Sequence, residues 1–125
     1  SLLLTGDIEK SVESALVESQ AGKQDSQSLN SDILVAPHHG SKTSSSAGFI
    51  AAVQPDLTIF TAGYLNRFRH PRAEVLARYK QAGSRAFRSD YDGAVTLNFV
   101  ADDKAGVIKA ESWRKQNKHY WHDFY

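Results

Sequence analysis

The stretch Ile33-Leu34-Val35-Ala36-Pro37-His38-His39-Gly40-Ser41 limits what this chain can fold into more than any other. Four apolar residues in a row, closed by Pro and Gly, read as a buried strand running into a tight turn. Proline fixes the exit angle, and Gly40 lets the backbone pass close to a ligand. Two adjacent histidines then stand at the mouth of the strand. Imidazole nitrogens suit zinc, manganese and related ions at neutral pH. The same loop also reads as a plain cap on a strand, and these nine residues do not separate the two.

A second run, Leu2-Leu3-Leu4-Thr5, ends in Gly6-Asp7. Two strands would then each deliver a metal-type side chain at the carboxyl end, the side of an α/β sheet where sites form. Asp7 has another reading, as N-cap of the helical pattern that follows, with Ile8, Val12, Ala15 and Leu16 apolar and Glu9, Lys10, Glu13 and Glu18 between them. Further along, a polar segment over 20–31 reads as a flexible connection. The Ser/Thr run 42–46 reads as the cap of a short helix over 47–53, and Leu57-Thr58-Ile59-Phe60 as a third strand. Pro71 opens a helix over 72–81 with Val75, Leu76 and Tyr79 on one face, stopped by Ala82-Gly83. A short strand over 85–88 follows. Paired strands over 93–100 and 106–110, joined by an Asp102-Asp103 turn, complete an α/β pattern.

At 125 residues the chain is one domain or part of one. A formal charge of +1 gives no global basic field of the kind that marks a dedicated nucleic-acid binder. The lack of cysteine excludes thiolate metal sites and disulfides. No stretch is long enough to span a bilayer, so the chain as given is expected to be soluble.

Leu3-Leu4-Thr5-Gly6-Asp7, Val35 to Ser41, Asn66-Arg67-Phe68-Arg69-His70-Pro71 and Phe87 to Val95 together resemble the metallo-β-lactamase fold. More narrowly, they resemble the C-terminal domain of the ComEC competence proteins, which carry DNA across the bacterial inner membrane. Serine stands at position 89 where that pattern has threonine, and the resemblance runs from Leu2 to about Leu97. The early ligand-rich motif of the fold has no counterpart before Asp7. The chain is therefore expected to be the second half of the domain. It would form half of an αββα sandwich over 1–112, a mixed sheet with helices on one face, followed by a basic and aromatic tail over 113–125.

The resemblance implies that Asp7 bridges two metal ions and that one of His38 and His39 is a terminal ligand. Adjacent residues of an extended loop point opposite ways. One histidine would then bind and the other support it, with the lean to His39. His70 and Asn66 would hold a scissile phosphate or protonate a leaving oxygen; otherwise His70 is a helix cap or loop filler. Ser41 either donates to a phosphate or caps the next helix. Asp90 and Asp92 read as turn residues before a strand rather than as ligands. Arg67, Arg69, Arg72, Arg78, Arg85 and Arg88 suit a DNA backbone, or are solvated. Trp113 is expected to pack back on the domain. The rest of the tail could stack on single-stranded nucleic acid, sit at a membrane interface or pack on the domain.

By the same resemblance the intact domain is a zinc- or manganese-dependent DNA phosphodiesterase acting in transformation. It would sit in an inner-membrane protein, on the periplasmic side. With two or three of its ligands, this chain is expected to bind metal weakly or not at all and not to catalyse. A DNA-guiding module with a degenerate metal site, or another hydrolase of the same fold, are the alternatives. Expected partners are DNA, the rest of the parent protein and a second copy. The copy would dock on a sheet face bared by loss of its facing sheet, with Ile33, Val35, Leu57, Ile59, Val95 and Leu97 as candidates.

Overall fold

The computed structural model describes residues 1–20, 28–100 and 107–117. Residues 21–27 of the expected connection, the Asp102-Asp103 turn and residues 118–125 of the tail lie outside them.

Four strands form one all-parallel sheet in chain order: β1 (Leu2–Leu4), β2 (Ile33–Val35), β3 (Leu57–Phe60) and β4 (Arg85–Arg88). Three helices connect them: α1 (Lys10–Ser19), α2 (Ala47–Val53) and α3 (Ala73–Gln81). The register aligns Leu3, Leu34, Thr58 and Ala86 across the sheet. Side chains alternate between faces along each strand, so Ala36 and Phe60 share this face. There they meet Phe49, Ile50 and Val53 of α2 and Val75 and Tyr79 of α3. Leu34, Phe49, Val53, Phe60, Val75 and Tyr79 are all fully buried. Each contributes about 1.5–3 kcal/mol by leaving water.

Helix α1 lays Leu16 and Val17 against this core and carries one buried acid inward. The Glu13 carboxylate accepts from the backbone N–H groups of Ser45 (2.5 Å) and Ser46 (2.8 Å). Arg78 donates to the carbonyls of Ser44 and Ser45 at 3.2 and 2.7 Å, and Tyr79 donates its hydroxyl to Ser45 Oγ at 3.1 Å. Ser45 needs these partners, since its backbone is left-handed (φ 57°). Ser46 caps α2 by accepting from Phe49 N–H.

The α/β class is as the sequence implied, but two parts of the architecture differ. The last two strands, β5 (Val95–Val100) and β6 (Val107–Ser112), pair antiparallel with each other as a separate two-stranded sheet, so the parallel sheet is not mixed. The expected turn at Asp90 and Asp92 is a single-turn helix, α4 (Ser89–Asp92), with both acids buried. Asp90 receives Nε and Nη2 of Arg88 (3.1 and 2.6 Å), and Asp92 accepts from the Arg88 N–H (2.7 Å) and pairs with Lys115 (3.2 Å). These carboxylates fasten the segment after β4 to α5 (Trp113–Gln116).

The second sheet face is not bared as expected. Ile33 and Leu57 are 0 and 1 % exposed, and Val35, Ile59, Val95 and Leu97 are half-buried. Exposure falls on the edge strand instead, at Leu2 and Leu4. Inner strands of a parallel sheet are sheltered on both faces, whereas an edge strand is not. Trp113 does not pack inward: it is 49 % exposed.

Candidate functional site

Three loops meet at the carboxyl ends of β1, β2 and β3. Gly6 turns the first with φ 60°, and its carbonyl accepts the His38 N–H at 2.9 Å. Thr5 donates its hydroxyl to the Val35 carbonyl at 2.9 Å. Asp7 is not a helix cap. Helix α1 begins at Lys10 with Glu9 in the cap position, and the Asp7 carboxylate stands out in solvent beside the second loop.

That second loop is not extended. Pro37–Gly40 forms one tight 3₁₀ turn in which His38 and His39 both have left-handed backbones, φ 48° and 55°. Such conformations cost non-glycine residues on the order of 1–3 kcal/mol each. Packing beneath the loop holds them. A Cβ on Gly40 (φ 79°) would lie 2.6 Å from Pro71 Cβ and 2.8 Å from Phe60 Cδ1. The Gly40 carbonyl accepts the Arg72 N–H at 3.0 Å. Gly40 thus lets the loop sit down on Phe60 and Pro71, not on a ligand.

The turn sends the two imidazoles to different acids. His39 has Nδ1 3.0 Å from Thr61 Oγ1 and Nε2 3.4 Å from Asp7 Oδ1. Two ligand atoms on one tetrahedral zinc stand roughly 3.3–3.4 Å apart, given bonds of about 2.0–2.1 Å. If Nδ1 gives its proton to Thr61, a bare Nε2 lone pair faces a carboxylate, an arrangement that a shared cation relieves. His38 Nδ1 lies 3.3 Å from Glu9 Oε1, outside hydrogen-bond geometry, and is a buried nitrogen without a hydrogen-bond partner. Thr43 donates to that same Glu9 oxygen at 2.8 Å. The donor types therefore fit a divalent cation at two pairs. Among the described residues, no three His, Cys, Asp or Glu side chains converge as one metal-holding group.

The third loop brings His70 within 6.1 Å of the His38 ring, centroid to centroid. Burial holds the His70 imidazole below its usual value of 6.5, with the charges of His38, Arg72 and His39 adding to the effect. His70 does not cap α3, whose cap position is Arg72. Asn66 spends its amide on the loop itself. It donates to the carbonyls of Gly63 (3.0 Å) and His70 (2.8 Å) and accepts from the His70 N–H (2.8 Å). Its action on the site is to fix where His70 stands. Ser41 is buried and pairs with Thr43 (3.1 Å), so it closes its own turn instead of capping α2.

Asp7, His38, His39 and His70 thus gather, with Asn66 behind them. The sequence reading missed Glu9, Thr61 and Phe68, whose ring stacks on His70 at 5.8 Å. Thr61 was within reach of the rule that found Asp7, since it is the first residue past β3. Glu9 looked like one more polar position of a helix.

No family model and no solved structure matches the chain. Among curated proteins, it is 36 % identical over 121 residues to Competence protein ComA of Neisseria gonorrhoeae, covering 97 % of the chain and 16 % of that protein. It is 33 % identical over 99 residues to ComE operon protein 3 of Bacillus subtilis, covering 79 % of the chain and 12 % of that protein. Recombination protein 2 of Haemophilus influenzae is 34 % identical over 102 residues, 82 % of the chain and 12 % of its own length. The chain spans about an eighth to a sixth of these relatives, and from them it belongs to the ComEC family of competence proteins.

Proposed function

We propose that this chain is part of a metal-dependent phosphodiesterase domain of the metallo-β-lactamase type, acting on DNA in competence. The observation that carries the reading is the Asp7–His39 pair at ligand spacing, with the far nitrogen of the imidazole held by Thr61. Asp7 and His39 would hold zinc or manganese. The ion, when bound, supplies an activated hydroxide and neutralises phosphate charge. His70, whose burial disfavours its protonated form, offers one N–H and one basic nitrogen to a phosphodiester oxygen. Arg72 stands close enough to disfavour a proton on His70, and its buried Nε has no hydrogen-bond partner, which suits an anion nearby. The parent protein would present this domain on the periplasmic side of the inner membrane. For the chain itself, no helix among the described residues is long and apolar enough to cross a membrane.

The test is metal-dependent cleavage of DNA by a protein of the relatives' full length that carries this segment. Asp7→Ala and His39→Ala should each abolish it, while the isolated 125-residue chain cleaves nothing and binds zinc no tighter than micromolar. An unaffected pair of variants would refute these roles, and tight stoichiometric zinc on the chain alone would refute the reading that it lacks most of the ligands of its site. A second reading, a DNA-guiding module without catalysis, is favoured by the two-donor clusters just described. It predicts DNA binding with no cleavage at full length.

A further inference from the structure

We infer that the loop after β3 is a base-stacking step for single-stranded nucleic acid, set against the histidine site. The inference rests on the phosphodiester reading for its setting, but its chemistry is separate. Within five residues this loop turns three large apolar side chains to solvent: Tyr64 at 52 %, Leu65 at 83 % and Phe68 at 57 %. A short loop of a stable fold seldom exposes that much apolar surface without a use for it.

The loop is also held in shape. Leu65 and Arg69 both have left-handed backbones (φ 51° and 55°), and the Asn66 amide ties Gly63 to His70 around them. A pre-shaped loop loses little freedom when a ligand arrives. Its rings already lie against cations or another ring. The Arg67 guanidinium lies 4.8 Å from the Phe68 centroid, Phe68 stacks on His70 with 28° between planes, and Arg114 lies 5.6 Å from the Tyr64 ring. A flat base added here extends a stack that exists. Arg67 and Arg69, both exposed, are the loop's cations available to the attached phosphates.

Aromatic faces alternating with guanidinium groups are the chemistry of single-strand binding, in which each stacked base contributes about 1–3 kcal/mol and duplex bases are out of reach. A lipid surface would use the same apolar side chains. It would not need the ring-on-ring geometry, and the stack leads directly to His70 and His38, 6.1 Å apart.

The experiment is fluorescence anisotropy of a labelled fifteen-nucleotide oligo-dT and of a duplex of equal length, titrated with the 125-residue chain in EDTA. Single strand should bind more tightly than duplex. Phe68→Ala should weaken single-strand binding roughly 5- to 150-fold with an unchanged melting temperature, since the side chain is exposed. Phe68→Trp should restore it, and Arg67→Gln with Arg69→Gln should lower the salt dependence. Equal binding by Phe68→Ala, a preference for duplex, or no binding to oligo-dT would each overturn the inference. So would binding to phosphatidylglycerol vesicles that depends on Phe68 where oligo-dT binding does not. Stacking on oligo-dT in EDTA by a full-length protein that cleaves no DNA when zinc or manganese is supplied supports the inference while refuting the catalytic reading.

Discussion

The parallel-sheet body and the β5–β6 hairpin differ in what they bury and in where they hold strain. The body seals Leu34, Phe49, Phe60, Val75 and Tyr79 completely, while the hairpin leaves Phe99 59 % and Val107 46 % exposed. Among the described residues, every left-handed residue other than glycine lies in the body: His38, His39, Ser45, Gln54, Leu65 and Arg69. Three of these, His38, His39 and Ser45, are pinned by buried contacts or hydrogen bonds. The difference teaches that unfavourable backbone persists where its surroundings over-determine it: packed and hydrogen-bonded neighbours at His38, His39 and Ser45, and the Asn66 amide around Leu65 and Arg69. The hairpin, fastened through Arg88, Asp90, Asp92 and Lys115, has no such foundation, and none of its described residues is left-handed.

The largest test of the contrast is truncation on each side. Phe60→Ala should cost about 3–5 kcal/mol of unfolding free energy by urea titration, because it empties a buried volume. Phe99→Ala in the hairpin should stay within about 1 kcal/mol. Comparable losses would mean that the hairpin is as tightly packed as the body. Next comes Gly40→Ala, expected to cost roughly 2–4 kcal/mol from collision with Pro71 and Phe60 and from the left-handed backbone. A near-neutral result would show that the seat of the histidine loop is soft.

His38→Gly should go the other way, raising stability by about 1 kcal/mol as strain is relieved. A loss there would mean that the His38 ring contributes more than its backbone costs. The smallest effect is in pH. The His70 imidazole is held below 6.5 when folded, so the unfolded chain takes up the proton first. Stability from this group is therefore present above 6.5 and declines as pH falls through the window beneath it. His70→Asn should flatten that part of the curve in melting temperature against pH, and an unchanged slope would remove His70 as its source.

Much of the fold was legible because its signals are local. Apolar runs bounded by Gly and Pro marked β1, β2 and β3, a Ser/Thr run marked the cap of α2, and spaced Val75 and Tyr79 marked α3. The carboxyl-end rule for α/β sheets places Asp7 and the histidine pair on one side from the sequence alone. The reading went astray where a residue's state depends on distant neighbours. Asp7 gave up its capping role because Lys10 N–H is drawn to the Thr43 carbonyl at 3.0 Å and α1 starts late. Ser41 yielded the α2 cap to Ser46, and Asn66 turned inward on its own loop.

What the sequence determined by itself is the kind of chain this is: an α/β unit with its ligand-type side chains at strand ends, since period, punctuation and residue chemistry are properties of neighbours along the chain. What only the tertiary structure decided is which atom faces which. The left-handed turn of His38 and His39, forced by Gly40 settling on Phe60 and Pro71, aims one ring at Asp7 and the other at Glu9. That turn is unfavourable locally, so no local signal could announce it, and the buried core beneath it is made of residues far apart in sequence.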